Sequence, residues 1–183
     1  RWINYRRWDG AKSRAVTHPE ECSTWIVSKN SSDGSILWRR LPLHLVCMQA
    51  NRDGATNNDG NAGGANGASS SNNPNNPNSN PIEDLIETLI SAFPDGASSP
   101  DEEGMLPLHL AAAHGASERV FNLLLMAYPS APNVQDNYGR TPVDVIKEAP
   151  PGPTREPKIR VLERARETIE RMVASVRRQS DEE

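Results

Sequence analysis

Large apolar side chains are scarce in this sequence. Aromatic residues make up 5% of its 183 residues, and hydrophobic residues of all kinds 36%. Mean hydropathy is -0.67. So lean a chain cannot bury itself throughout, and part of it is expected to lie outside any core. Long apolar runs are missing too. The longest useful one, residues 120–126, falls far short of the roughly 20 residues that a membrane span needs. There is no excess of positive charge. The formal net charge is -4 and the pI about 5.6, which removes the general attraction to phosphate that nucleic-acid binders show. Two cysteines, Cys22 and Cys47, are too few for a disulfide scaffold and read as buried thiols of a reducing compartment. No charged, apolar and small-residue start marks a signal peptide. The expected location is therefore intracellular, cytoplasmic or nuclear. The chain opens on Arg1 instead of Met, so it reads as a fragment or a processed product that can lack an upstream targeting segment. The one glycosylation sequon, Asn30-Ser31-Ser32, is short enough to arise by chance.

What is present is a repeat. Leu106-Pro107-Leu108-His109-Leu110 nearly copies Leu41-Pro42-Leu43-His44-Leu45, and Thr141-Pro142-Val143-Asp144-Val145 is a weaker third copy. The second and third copies are 35 residues apart. At that offset Glu83 matches Glu118, Leu85 matches Val120, Leu89 matches Leu124 and Ile90 matches Leu125. Phe93 then matches Tyr128, Pro94 matches Pro129, Asp101 matches Asp136 and Gly104 matches Gly139. The first and second copies are 65 residues apart, and the surplus of 30 is visible at 51–80, with eleven Asn, five Gly and four Ser. This tract carries no side chain able to offset its ordering entropy by burial, so it is expected to be a disordered insertion.

Each unit reads as helix, turn, helix, loop. Pro107 suits the first position of a helix, where its missing N–H is no loss. The Ala-rich stretch 108–114 permits close helix contact and stops at Gly115. The second helix, 118–127, carries Val120, Phe121, Leu124 and Leu125 on one face at helical spacing, and Pro129 stops it. Leu89 and Leu124 are expected to be equivalent core residues. The loop through Asp136-Asn137-Tyr138-Gly139 has turn chemistry.

The segment Gly104-Met105-Leu106-Pro107-Leu108-His109-Leu110-Ala111-Ala112-Ala113-His114-Gly115 resembles the ankyrin motif G-x-T-P-L-H-x-A-A-x-x-G. Asp101 and Asp136 stand where that family has its finger-loop Asp, and Gly139-Arg140-Thr141-Pro142-Val143-Asp144 resembles the start of the next repeat. The resemblance covers about 41–149 without the insertion, and is specific over 97–145. It implies an all-α fold: a short ankyrin-like helical solenoid with finger loops and a C-terminal capping helix. There are departures. The family's capping Thr is Leu at 41 and 106, which loses an N-cap of about 1 kcal/mol. The Leu-Leu-x-x-Gly-Ala ending is replaced by Ala92-Phe93-Pro94 and Ala127-Tyr128-Pro129, a variant similar to divergent repeats of single-celled algae. Asp144 replaces the motif His, yet with Thr141 three residues earlier it can form a pair like a capping box.

The ends are distinct. Residues 1–40 read as a degenerate N-terminal repeat or cap whose second helix ends near His18, with a finger loop about ten residues too long. Trp2, Trp8, Trp25 and Trp38, the only tryptophans, suit the exposed end of a stack or a partner site. In 150–183 a breaker, Pro150-Pro151-Gly152-Pro153, precedes a helix over 156–178. Its apolar stripe is Ile159, Leu162, Ala165, Ile169, Met172, Val173 and Val176. This is expected to be the extended second helix of the last repeat; a short coiled coil is the alternative.

Catalytic chemistry finds little to work with. His44 and His109 are absorbed by the repeat motif, where the ring orders the helix start and bridges neighbouring repeats. His18 precedes a Pro that stops a helix, and His114 falls at an exposed variable position. His18 and Cys22 are four apart, but no further ligands complete a zinc set. No phosphate-loop, H-E-x-x-H or nucleophile-elbow motif occurs. Arg6-Arg7 and Arg39-Arg40 read as a solvated face. The chain is therefore expected to be no enzyme, to need no cofactor or metal, and to bind another protein instead of nucleic acid, membrane or a small-molecule substrate. In the ankyrin family partners dock on the concave side of finger tips and first helices. That implies a site of Glu102, Glu103 and Met105 in one finger and Asn137, Tyr138 and Arg140 in the next. Met48, Gln49, Ala113 and His114 join it from the first helices. The acidic pair beside Met105 would favour a partner with basic and apolar groups, and Tyr138 is the anchor. The alternative function is the regulatory or substrate-recruiting arm of a larger enzyme whose catalytic domain lies elsewhere.

Overall fold

Four of the helices start on a proline, at Pro42, Pro81, Pro107 and Pro142. The ring presets φ at the one position where the missing N–H costs nothing. The computed structural model describes residues 8–50, 80–148 and 155–180. Seven α-helices lie there: α1 (Trp8–Thr17), α2 (Pro42–Cys47), α3 (Pro81–Ala92), α4 (Pro107–Ala113), α5 (Glu118–Ala127), α6 (Pro142–Glu148) and α7 (Arg155–Ser180). The longer helices are capped as their sequence suggests. Asn80 Oδ1 accepts from the Ile82 N–H at 3.1 Å, and Ser117 Oγ from the Val120 N–H at 3.4 Å, each satisfying an otherwise orphaned donor. At α6 the expected Thr141–Asp144 pair forms: Asp144 Oδ2 accepts from the Thr141 N–H at 3.0 Å and from its hydroxyl at 2.6 Å.

The helices form two layers in chain order. In one, α3 packs between α1 and α5, and α5 between α3 and α7; in the other, α4 packs between α2 and α6. Each short helix also packs on the longer one that follows it: α2 on α3, α4 on α5, α6 on α7. One continuous core runs from Trp8 in α1 to Leu162 in α7. The 35-residue equivalence holds inside it. Leu89 and Leu124 are each 1% exposed, and Leu85 and Val120 are fully covered. A polar link follows the same stacking: Glu83 of α3 accepts from the Ser117 hydroxyl at 2.6 Å and meets Arg119 at 3.4 Å.

The chain is not purely α-helical. The overlong loop of the first unit is an antiparallel hairpin of β1 (Ile26–Lys29) and β2 (Ile36–Arg40). The reason is legible in hindsight. Ile26-Val27 and Ile36-Leu37-Trp38 are β-forming side chains on either side of an Asp33-Gly34 turn, with Gly34 at φ 72°. The tryptophans divide. Trp8 is buried in the core, whereas Trp25 and Trp38 are half-buried around the hairpin. Among the described residues of the α7 stripe, Ile159 and Leu162 are buried, Ala165 and Ile169 half-buried, and Met172 is 64% exposed. The expected insertion at 51–80, apart from its last residue Asn80, which caps α3, lies outside what is described, as do Trp2, Arg6, Arg7, the breaker at 150–153 and the side chains of Val173 and Val176.

Candidate functional site

The short helices begin on Leu41 and Leu106, which have no side-chain acceptor to cap with. The histidine three residues on supplies one. The Leu41 N–H donates to His44 Nδ1 at 3.2 Å, and the Leu106 N–H to His109 Nδ1 at 3.1 Å. Each ring is therefore neutral, with its proton on Nε2. His109 Nε2 lies 3.1 Å from the Arg140 carbonyl, so this ring ties one unit to the next. His44 Nε2 makes no such bond; its ring stacks on Trp25, centroids 6.0 Å apart. The expected bridge is a hydrogen bond at His109; at His44, among the described residues, the ring faces the Met105 and Ser99 backbone of the next unit without one. Burial pushes the His44 imidazole down to about 4 and lowers that of His109.

The loops ahead of α4 and α6 are built alike. Asp101 Oδ1 accepts from the Glu103 and Met105 N–H groups at 3.0 and 2.9 Å. Asp136 Oδ1 accepts from the Tyr138 and Arg140 N–H groups, both at 2.9 Å. Gly104 and Gly139 turn each tip at φ 75° and 77°, where a side chain is strained. The tips are also pinned to each other. The Asn137 N–H donates to the Glu103 carbonyl at 3.0 Å, and Asn137 Nδ2 to the Glu102 carbonyl at 3.1 Å. The second carboxylate oxygen takes an arginine from different places. Asp136 Oδ2 accepts from its own loop's Arg140 Nε at 2.9 Å. Asp101 Oδ2 accepts from Arg40 Nε of β2 at 3.0 Å. Burial raises the Asp136 carboxyl, but the donors on it outweigh burial and hold it below the usual carboxylate range.

The residues expected to bind a partner differ in exposure. Glu102, Glu103, Asn137, Tyr138, Ala113 and His114 are exposed. Tyr138 is 69% exposed, with the Arg140 guanidinium 4.9 Å from its ring centre. Arg140 is spoken for, by Asp136 and by Glu148 at 3.0 Å. Met105 does not protrude: it is half-buried and packs on the core, because its side chain points inward ahead of α4. Met48 and Gln49 are half-buried rather than exposed, and Arg40 Nη1 lies 3.4 Å from Met48 Sδ.

Arg39 and Arg40 are the residues that sequence reasoning missed. They are not simply a solvated pair. Arg39 meets Glu102 at 2.9 Å and lies 5.1 Å from the Trp25 ring centre. Arg40 is 14% exposed and pairs with the buried Asp101. The acidic pair is thus already met from within by the preceding hairpin. Asp101 recurring as Asp136, with Met105 standing where the other loop has Arg140, was the signal: the first loop's carboxylate had to find its cation elsewhere.

Among the described residues, no group of three or more His, Cys, Asp or Glu could hold a metal ion. No helix there is long and apolar enough to cross a membrane. No curated protein matches the sequence. Residues 89–146 match the family model for ankyrin repeats (many copies), the same span in which the 35-residue register, the His-started helix and the Asp-pinned loops coincide. That match and these features support an ankyrin-repeat family for this span of the chain.

Proposed function

We propose that this chain is a protein-binding module, an adaptor or scaffold with no catalytic step of its own. Ankyrin repeats are generally protein-interaction modules. The partner docks on the concave side of a short solenoid, across the finger loops and the exposed end of α4. One observation carries the reading: a large aromatic ring, Tyr138, stands 69% exposed on a loop that is otherwise fixed. Its loop is held by the buried Asp136, tied through Asn137 to the loop before, and braced by Arg140 over the ring. A ring held ready loses little freedom on binding, so more of the contact energy appears as affinity. Glu102, Glu103, Asn137, Ala113 and His114 form the polar rim. The histidines that could have served acid–base chemistry are committed to starting helices. Two free buried thiols support a reducing compartment as the place of work.

Tyr138→Ala tests the reading. Tyr138 covers little of the core, so thermal unfolding should stay within a degree or two of wild type. Recovery of partners from native lysate at equal folded fraction should fall by about fivefold or more, the equivalent of 1 kcal/mol. Equal recovery of every co-purifying protein would remove this face as the site.

A further inference from the structure

We propose that Glu103 is the residue of the finger loops that selects the partner by charge: it takes an Arg or Lys side chain of the docked protein, next to an apolar group laid against Tyr138. This rests on the concave-face reading above and adds the partner's chemistry to it. The ground is the pairing of charges. Asp101, Glu102, Glu103, Asp136 and Glu148 share three arginines. Arg140 is divided between Asp136 at 2.8 Å and Glu148 at 3.0 Å. Arg39 takes Glu102 at 2.9 Å. Arg40 takes Asp101, with its Nε at 3.0 Å, and turns its Nη1 to Met48 Sδ at 3.4 Å. What remains for Glu103 is Arg40 Nη2 at 4.0 Å, beyond hydrogen-bond distance. The Glu103 side chain is 48% exposed. His114 adds no cation at neutral pH, because burial and then Arg40 hold its imidazole below the ordinary value.

The finger itself shows which chemistry fits. β2 already lays two guanidinium groups on it, Arg39 on Glu102 and Arg40 on Asp101. Glu103 is the third carboxylate of the same run, and the one with no cation of its own. Tyr138 follows directly on Asn137, whose N–H donates to the Glu103 carbonyl at 3.0 Å. The Arg140 guanidinium sits 4.9 Å from the Tyr138 ring centre, yet the residue stays 69% exposed. A basic and an apolar side chain at neighbouring positions of a partner meet both groups. A carboxylate brought to the same place meets a like charge with no arginine to spare for it, so an acidic partner is turned away.

The test uses the full chain and short synthetic peptides that carry Phe beside Arg, Gln or Glu in an otherwise Gly/Ser sequence, titrated to millimolar concentration and followed by NMR. The Phe/Arg peptide should shift the Glu103 and Tyr138 amide resonances and bind about fivefold or more tighter than Phe/Gln, with Phe/Glu weakest. Glu103→Gln should remove the difference between the Arg and Gln peptides, and Glu103→Lys should turn the preference toward Phe/Glu. Glu87→Gln, the same change of charge on α3 opposite Arg119, should leave the Arg preference in place. Adding Arg39→Gln to Glu103→Gln frees Glu102, so part of the preference should return. The Glu103 side chain is half in water, so thermal unfolding should hold in its variants. Two results would each overturn the proposal: equal binding of the three peptides, and an Arg preference that survives Glu103→Gln. Either of these, with lysate recovery lost in Tyr138→Ala, would leave the concave face standing and disprove the part given to Glu103. An Arg preference that follows Glu103, while Tyr138→Ala changes neither peptide binding nor lysate recovery, would keep Glu103 as the charge selector and disprove docking at Tyr138.

Discussion

At the scale of single residues, the two helix-starting histidines link fold to pH. The unfolded His44 imidazole takes up a proton near the ordinary value of about 6.5. The folded one, buried and accepting from the Leu41 N–H, resists until about 4. Between these values the unfolded chain binds more protons than the folded one, so stability falls as pH falls. The contribution is full above about 6.5, and His44 alone withdraws roughly 3 kcal/mol by pH 4. His109 acts with the same sign. Asp136 and Asp144 are held below their ordinary values, so their losses begin at lower pH. Urea unfolding at pH 7, 5.5 and 4.5 should show a steady decline in wild type and a flatter one in His44→Gln, whose amide can still accept the helix-start N–H. Parallel declines would mean that other groups carry the acid sensitivity. Leu89→Ala and Leu124→Ala form a second pair. Both positions are 1% exposed on equivalent faces of α3 and α5, so each should cost about 2–5 kcal/mol in urea unfolding at pH 7. A near-neutral result at either would break the 35-residue register.

At the scale of elements, the loops separate two roles of glycine. Gly104 and Gly139 share a positive φ, so alanine strains either. Around Gly139 an added Cβ would meet nothing within 4 Å. At Gly104 it would come to 2.5 Å from Asn137 Oδ1 and 2.9 Å from the Asn137 backbone nitrogen. Gly139→Ala should therefore cost about 1 kcal/mol. Gly104→Ala should cost more, by about 1–3 kcal/mol, because it also parts the two tips. Equal melting points would show that the tips are not tightly joined. This difference was invisible in the sequence, where both glycines hold the same motif position. What the sequence did show were the features that repeat: Pro and His at helix starts, Leu89 and Leu124 in the core, Asp101 and Asp136 in the loops. What it hid were contacts between unlike units. Arg39 on Glu102 and Arg40 on Asp101 join positions 63 and 61 residues apart with no motif to announce them. The hairpin was hidden for the related reason that a longer loop breaks the register, and only the Asp33-Gly34 turn between two aliphatic pairs gave it away. Met105 misled because an apolar residue in a loop reads as exposed until its neighbours are known.

At the scale of the whole molecule, α7 is out of proportion. Its 26 residues extend about 39 Å at 1.5 Å per residue, against about 15 Å for the 10 residues of α5 beside it. Among the described residues, the buried side chains of α7 lie in its first half. Ile159 and Leu162 are buried against α5 and α6, and Lys158 reaches the Gly115 carbonyl at 2.6 Å, which fastens α7 to the turn between α4 and α5. Burial lowers the Lys158 ammonium pKa, as expected for a cation placed for one hydrogen bond. In an array where each unit touches only its neighbours, the terminal helix protects the last core face. Two truncations separate the halves. Ending the chain after Glu170 removes residues whose described side chains are exposed, including Met172. It should lower Tm by less than about 3 °C. Ending it before Arg155 removes Ile159 and Leu162 from the core they share with α5 and α6. That should abolish the cooperative transition or leave a much broader one. If the short truncation proves as damaging as the long one, the second half of α7 is covered in solution and the helix has a partner along its whole length. If the long truncation melts like wild type, the core closes on α5 and α6 without it, and α7 is an appendage rather than the end of the stack.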